Sequence, residues 1–152
     1  MTASAWATYD MFPEYLGDGT IDMDGDTFHV ALFQSTSNCA TLTHSVLADL
    51  DNEVSGNGYS RDTSNTVTWG NSSGTTTFDI TTDPQFTASG GTLAARFAVI
   101  FDDTPSSPAD PLVCVSLLDT TPADVSVSDG STLTLTINAS GVFAISDSGT
   151  AS

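Results

Sequence analysis

From residue 21 onward the apolar residues come in short stretches broken by turn-forming residues, and this punctuation constrains the fold more than any other feature. Leu133, Leu135 and Ile137 alternate with Thr132, Thr134 and Thr136, the two-residue period of a half-buried strand. Phe28, Val30 and Leu32 set one face of a strand over 27–34, preceded by the hairpin-turn signal Asp24-Gly25. Val67 and Trp69 alternate before the turn Asn71-Ser72-Ser73-Gly74, and Phe78 and Ile80 alternate after it. Residues 93–101 and 112–118 are apolar with little alternation, as in strands buried on both faces. Three prolines, Pro105, Pro108 and Pro111, keep the loop between them out of a sheet. Leu42, Val46, Leu50 and Val54 are four apart, the spacing of a short helix over 43–52. Asn138-Ala139-Ser140-Gly141 is a turn, with a last strand over 142–146. Seven to nine short strands punctuated in this way predict an all-β fold, a β-sandwich or jelly roll.

The first 20 residues follow another rule. Trp6, Tyr9, Phe12 and Leu16 recur at helical spacing, with Ser4 as an N-cap and Gly17 and Gly19 as stops. Pro13 sits inside the pattern and would start or kink the helix. Two readings stay open: a helix packed on its own domain's sheet, or an aromatic arm that docks on a neighbouring subunit. The second makes Trp6, Tyr9, Phe12 and Leu16 the candidate interface and predicts that the sandwich folds without residues 1–16. The expected organisation is a helix or arm over 1–20, a single β-sandwich domain over 21–146, and a flexible tail over 147–152.

Charge narrows the function. The 152 residues carry 19 acids against Arg61 and Arg96, with no lysine, for a net charge of −17. So few cations leave almost nothing to neutralise phosphates, which argues against a nucleic-acid partner. An anionic membrane surface would repel the chain as well, and no apolar run approaches the roughly 20 residues of a membrane helix. The segment Met1 to Trp6 has neither a basic region nor a long apolar stretch, so no signal peptide is expected. The acids are 17 Asp and only 2 Glu, beside 24 Thr and 20 Ser. That balance suits Asp-rich turns and Thr-faced strands rather than helices.

Motifs for chemistry are sparse. Asp22-Met23-Asp24-Gly25-Asp26 begins like a calcium loop, but Thr27 and Phe33 stand where the Gly and the closing Glu of an EF-hand are needed. An irregular surface calcium site stays open. His29 and His44 have no second ligand at metal-binding spacing. No Gly-x-Ser-x-Gly elbow appears, and Gly56-Asn57-Gly58 lacks the rest of a dinucleotide fingerprint. Cys39 and Cys114 allow one bridge at most; Cys114 reads as a buried small hydrophobe and Cys39 sits in a polar loop. The residues point to a non-enzymatic interaction module with no catalytic residues, no metal and no cofactor.

Four stretches carry a resemblance. They are Asn52-Glu53-Val54-Ser55-Gly56-Asn57-Gly58-Tyr59-Ser60-Arg61, residues 9–16 leading into Thr27-Phe28-His29-Val30-Ala31-Leu32-Phe33, residues 92–104 from Thr92 to Thr104, and residues 130–143 closing on Asn138-Ala139-Ser140-Gly141-Val142-Phe143. Taken in order along the chain they resemble small β-rich virion-associated proteins of tailed bacteriophages. The resemblance implies an accessory protein of the particle, a capsid cement or decoration protein on the outer surface of the head. Its implied partner is the major capsid protein, with the chain itself a trimer or dimer. Alternatives are a tail, neck or fibre component, though no collagen-like or heptad repeat suggests a fibre shaft. A calcium- or carbohydrate-binding β-sandwich module is the alternative from another class. This chain lacks lysines between the shared stretches, and Pro13 interrupts the first helix.

Overall fold

The computed structural model describes residues 2–121 and 123–146; the expected tail, 147–152, lies outside the described residues. The chain is all-β, and among the described residues there is one short α-helix and every strand pairing is antiparallel. In chain order the elements are β1 (Ala7–Thr8), α1 (Phe12–Asp18), β2 (Phe28–Phe33), β3 (Val67–Ser72), β4 (Thr75–Ile80), β5 (Gln85–Thr87), β6 (Leu93–Ala95), β7 (Phe97–Asp102), β8 (Leu112–Leu117), β9 (Val125–Val127), β10 (Thr132–Thr134) and β11 (Phe143–Ser146).

A four-stranded sheet in the order β1-β8-β7-β2 lies at the centre. Its strands read as continuous apolar runs because both faces are covered. Phe28, Val30, Leu32, Ala98 and Ile100 point into the larger core cluster, while Ala31, Phe33, Val99 and Phe101 point into a second one. Register enforces this division, since Val30 pairs with Ile100 and Ala31 with Val99. A bulge in β8 opposes Ile100 with Cys114 and Phe101 with Leu112, leaving Val113 as the extra residue. Val113 and Cys114 consequently share the larger cluster, although they are neighbours in sequence.

Over the larger cluster lies a second layer: the sheet β11-β4-β3 and the strand pairs β10-β5 and β6-β9. Phe28 of the central sheet meets Phe78 of β4 edge to face, with ring centroids 5.2 Å apart. The other face of the central sheet is covered by Tyr9 and the segment carrying Cys39, Leu42, Leu47 and Leu50. That segment was expected to be helical over 43–52, but only the 3-10 turn Leu47–Asp49 forms. Its apolar residues serve different clusters, with Val54 in the larger one and Leu47 in the other. A four-residue period cannot express such a split.

Residues 93–101 were expected as one strand and form two. The chain changes layers at Arg96, so β6 pairs with β9 in the outer layer and β7 with β8 in the central sheet. The Arg96 N–H donates to the Phe33 carbonyl, and its own carbonyl accepts from Leu118 N–H. The expected turn at 71–74 forms a two-residue hairpin: Ser73 and Gly74 have φ of 52° and 84°, so both central residues are left-handed, as a type I′ turn requires. Asp24-Gly25 also marks a turn, but α1 rather than a strand precedes it, so no hairpin results.

Candidate functional site

The N-terminal residues Trp6, Tyr9, Phe12 and Leu16 do not share one stripe. Pro13 starts the helix, so α1 carries only Phe12 and Leu16; Trp6 precedes β1 and Tyr9 follows it. Gly19 ends the helix in a left-handed conformation, as expected of a stop. Ser4 is no cap: its Oγ accepts from Leu117 N–H at 2.9 Å and its N–H donates to the Leu117 carbonyl, extending the pairing of β1 with β8. Tyr9 and Phe12 then fall on opposite sides of the central sheet, 0% and 2% exposed. The Tyr9 hydroxyl donates to the Cys39 carbonyl at 2.6 Å. Burial, reinforced by the neighbouring Cys39 and Cys114 thiols, pushes its pKa far up. Phe12 packs edge to face on Phe143 at 5.4 Å.

The expected four-residue docking arm is thus corrected: two of its residues are core and out of a partner's reach. Trp6 and Leu16 are partly buried against the same core. The expectation that the sandwich folds without residues 1–16 has this burial against it, because that deletion would remove a strand of the central sheet and two buried aromatics.

Trp6 nevertheless lines a groove of about 860 Å3 between residues 3–6 and residues 133–143. Leu118 and Val125 contribute to its lining, with Leu133, Leu135, Ile137, Val142 and Phe143 along the opposite side. Among the described residues none of the lining is charged. The polar contribution consists of hydroxyls and one amide, and Ser4 and Ser116 already spend theirs on each other's segments: Ser116 Oγ donates to the Ser4 carbonyl at 3.0 Å. Such a groove can bind apolar matter and exchange neutral hydrogen bonds, but it holds no acid, base or nucleophile pair. Sequence reading passed over it because alternation at 133–137 fixes one inward face without saying that Leu135 and Ile137 stay half open.

The acidic turn works as a cap. Asp22 Oδ1 accepts from the N–H groups of Asp24 and Gly25, and Asp26 Oδ2 accepts from Asp22 N–H at 2.8 Å. Close by, Asp102 at the end of β7 is fully buried. Its Oδ1 accepts from Thr104 N–H at 2.9 Å, while its Oδ2 has no partner. Burial, with the Asp26 carboxylate beside it, pushes the Asp102 pKa up to about 7. Among the described residues no three His, Cys, Asp or Glu side chains are grouped to hold a metal ion. His29 instead faces Asp103, with Nδ1 3.5 Å from Oδ1, and packs edge to face on Phe101.

Both cysteines are free and buried, in different clusters. Burial holds the Cys39 thiol up at about 11 and raises that of Cys114 as well, so neither is a poised nucleophile.

The stretch 52–61 has a structural task. Gln34 N–H donates to the Asn52 carbonyl and Val54 N–H to that of Leu32, so the stretch runs along the outer edge of β2 and blunts it. The Tyr59 hydroxyl donates to Glu53 at 2.8 Å and accepts from Leu32 N–H at 2.9 Å. Arg61 grips Glu53 with two bonds of 2.8 Å. Burial works against the Glu53 charge, but the Arg61 and Tyr59 hydrogen bonds prevail and hold its carboxyl below the usual range. Both arginines are committed in this way, Arg96 to Asp124 at 2.8 Å.

Set against family models, curated proteins and solved structures, the chain matches none.

Proposed function

We propose that this chain is a non-enzymatic structural protein of a tailed-phage virion, a cement or decoration protein on the outer surface of the head. It docks on the major capsid protein and acts as a dimer or trimer at subunit junctions. The observation that carries the reading is the distribution of charge. Both cations are bound to carboxylates, the surplus is −17, and one apolar groove free of charge interrupts the acidic surface. Packaged DNA would repel such a surface, whereas a shell exterior offering basic and apolar sites would hold it. The resemblance of residues 52–61 and 92–104 to virion-associated proteins supports the same reading. The loops and small sheets around a core covered on both faces suit a rigid clamp with adaptable margins.

Immunogold microscopy of purified particles with an antibody to this chain tests it. Gold spread over the heads is expected. Gold confined to one vertex or to the tail would move the chain to the neck or fibre class. Particles left unlabelled by a competent antibody would overturn the virion reading.

A further inference from the structure

The groove has a feature that ordinary solvent-filled depressions lack: strands at the margins of their sheets contribute its walls. Residues 3–6 lead into β1, the terminal strand of the central sheet, and β11 is the terminal strand of the outer three-stranded sheet. On the same side, β10 pairs only with β5 among the described residues. Marginal strands present backbone N–H and C=O groups that an added strand can satisfy. Between them lie the partly buried side chains of Trp6, Leu135, Ile137 and Phe143, which an alternating apolar segment would cover.

The surroundings have the opposite character to the floor. Asp83 Oδ1 accepts from the N–H of Ile137, a lining residue, at 2.9 Å. Asp119 adjoins Leu118 of the lining in sequence, while Asp124, next to Val125, is already paired with Arg96. Neither arginine is free to neutralise incoming acids. A second copy of this chain would carry the same net charge of −17, and like charges brought together at an interface disfavour association. Charge complementarity therefore selects the occupant.

We infer that the groove binds an extended segment of a partner protein, apolar at alternate positions and flanked by Lys or Arg, which docks as an added strand. The inference rests on the proposed role as a shell-docking protein and specifies the chemistry that the shell protein must present. Main-chain bonding supplies register, the apolar floor supplies affinity, and the acidic border admits basic flanks and rejects acidic ones.

The test uses the full chain and three synthetic 12-residue peptides followed by NMR: an alternating Val/Thr core with Lys-Lys at each end, the same core with Glu-Glu ends, and a Lys-flanked core of Gly and Ser. The first peptide is expected to shift the amides of residues 3–8 and 133–146 and to bind at least tenfold more tightly than the other two. Ala5→Arg and Thr136→Arg alter exposed lining positions on the two sides of the groove, so the melting temperature should hold while affinity falls at least tenfold in each. Equal binding of all three peptides, shifts mapping elsewhere, no binding at millimolar peptide, or wild-type affinity in both variants would each overturn the inference. Concentration-dependent self-association lost in both variants would overturn it in favour of a second copy. Particle labelling is read independently, so a failed groove and a failed virion role give different results.

Discussion

Asp102 gives the sharpest test of the physical reasoning. Its carboxyl is fully buried at the end of β7, and only one oxygen is hydrogen-bonded. Burial, then the negative charge of Asp26, raise its pKa from 3.8 to about 7. A raised carboxyl pKa means that the folded state binds the proton more tightly than the unfolded chain. The contribution to stability is then most favourable below pH 4 and is lost as pH rises to about 7. A shift of roughly three units at ~1.36 kcal/mol each amounts to about 4 kcal/mol across that window. Asp102→Asn keeps an acceptor for Thr104 N–H, adds a donor toward Asp26, and cannot ionise. Urea unfolding of both proteins at pH 5, 6, 7 and 8 should show the variant gaining on the parent by about 1 kcal/mol per pH unit between 5 and 7, then levelling off. Asp26→Asn should flatten part of the parent's slope. Parallel stability curves for the parent and Asp102→Asn would refute the claim that this carboxyl is forced to ionise in a buried site.

Further outcomes follow from packing and backbone geometry. Phe78→Ala removes the ring that meets Phe28 across the layers and Phe143 within its own sheet. It should cost about 3–5 kcal/mol in denaturant unfolding. Deleting residues 1–16 should abolish cooperative unfolding, because β1, Tyr9 and Phe12 go together; a truncated chain with a sharp melt would contradict the placement of those aromatics in the core. Gly141 has φ of 85°, and a Cβ there would lie 2.7 Å from the Phe78 carbonyl oxygen. Gly141→Ala should therefore destabilise by more than the roughly 1 kcal/mol of left-handed strain alone, measured as a shift in urea midpoint. Cys39 and Cys114 should resist a thiol reagent at pH 8 until urea unfolds the chain.

Sequence alone determined what depends on period and on local turn chemistry. The two-residue alternation at 67–69 and 78–80, with Ser73-Gly74 between, reads directly as a hairpin, because only a few turns match the twist of the strands they join. The apolar runs of β7 and β8 announced strands covered on both faces, whereas the alternation in β2 showed one inward face and left the burial of its other face to the tertiary structure. The shortage of cations, two arginines against 19 acids, was equally plain. Tertiary structure decided whatever depends on which layer a residue joins. Trp6, Tyr9, Phe12 and Leu16 have helical spacing, yet a strand, a turn and Pro13 send Tyr9 and Phe12 to opposite sides of one sheet. No one-dimensional period records a change of layer, so Arg96 as a corner and the split of 42–54 were invisible as well. The groove arises where segments more than a hundred residues apart meet and leave Trp6, Leu135 and Phe143 half covered. The Asp102 environment arises in the same way, since desolvation depends on what the rest of the chain packs around a carboxyl and not on its neighbours in sequence.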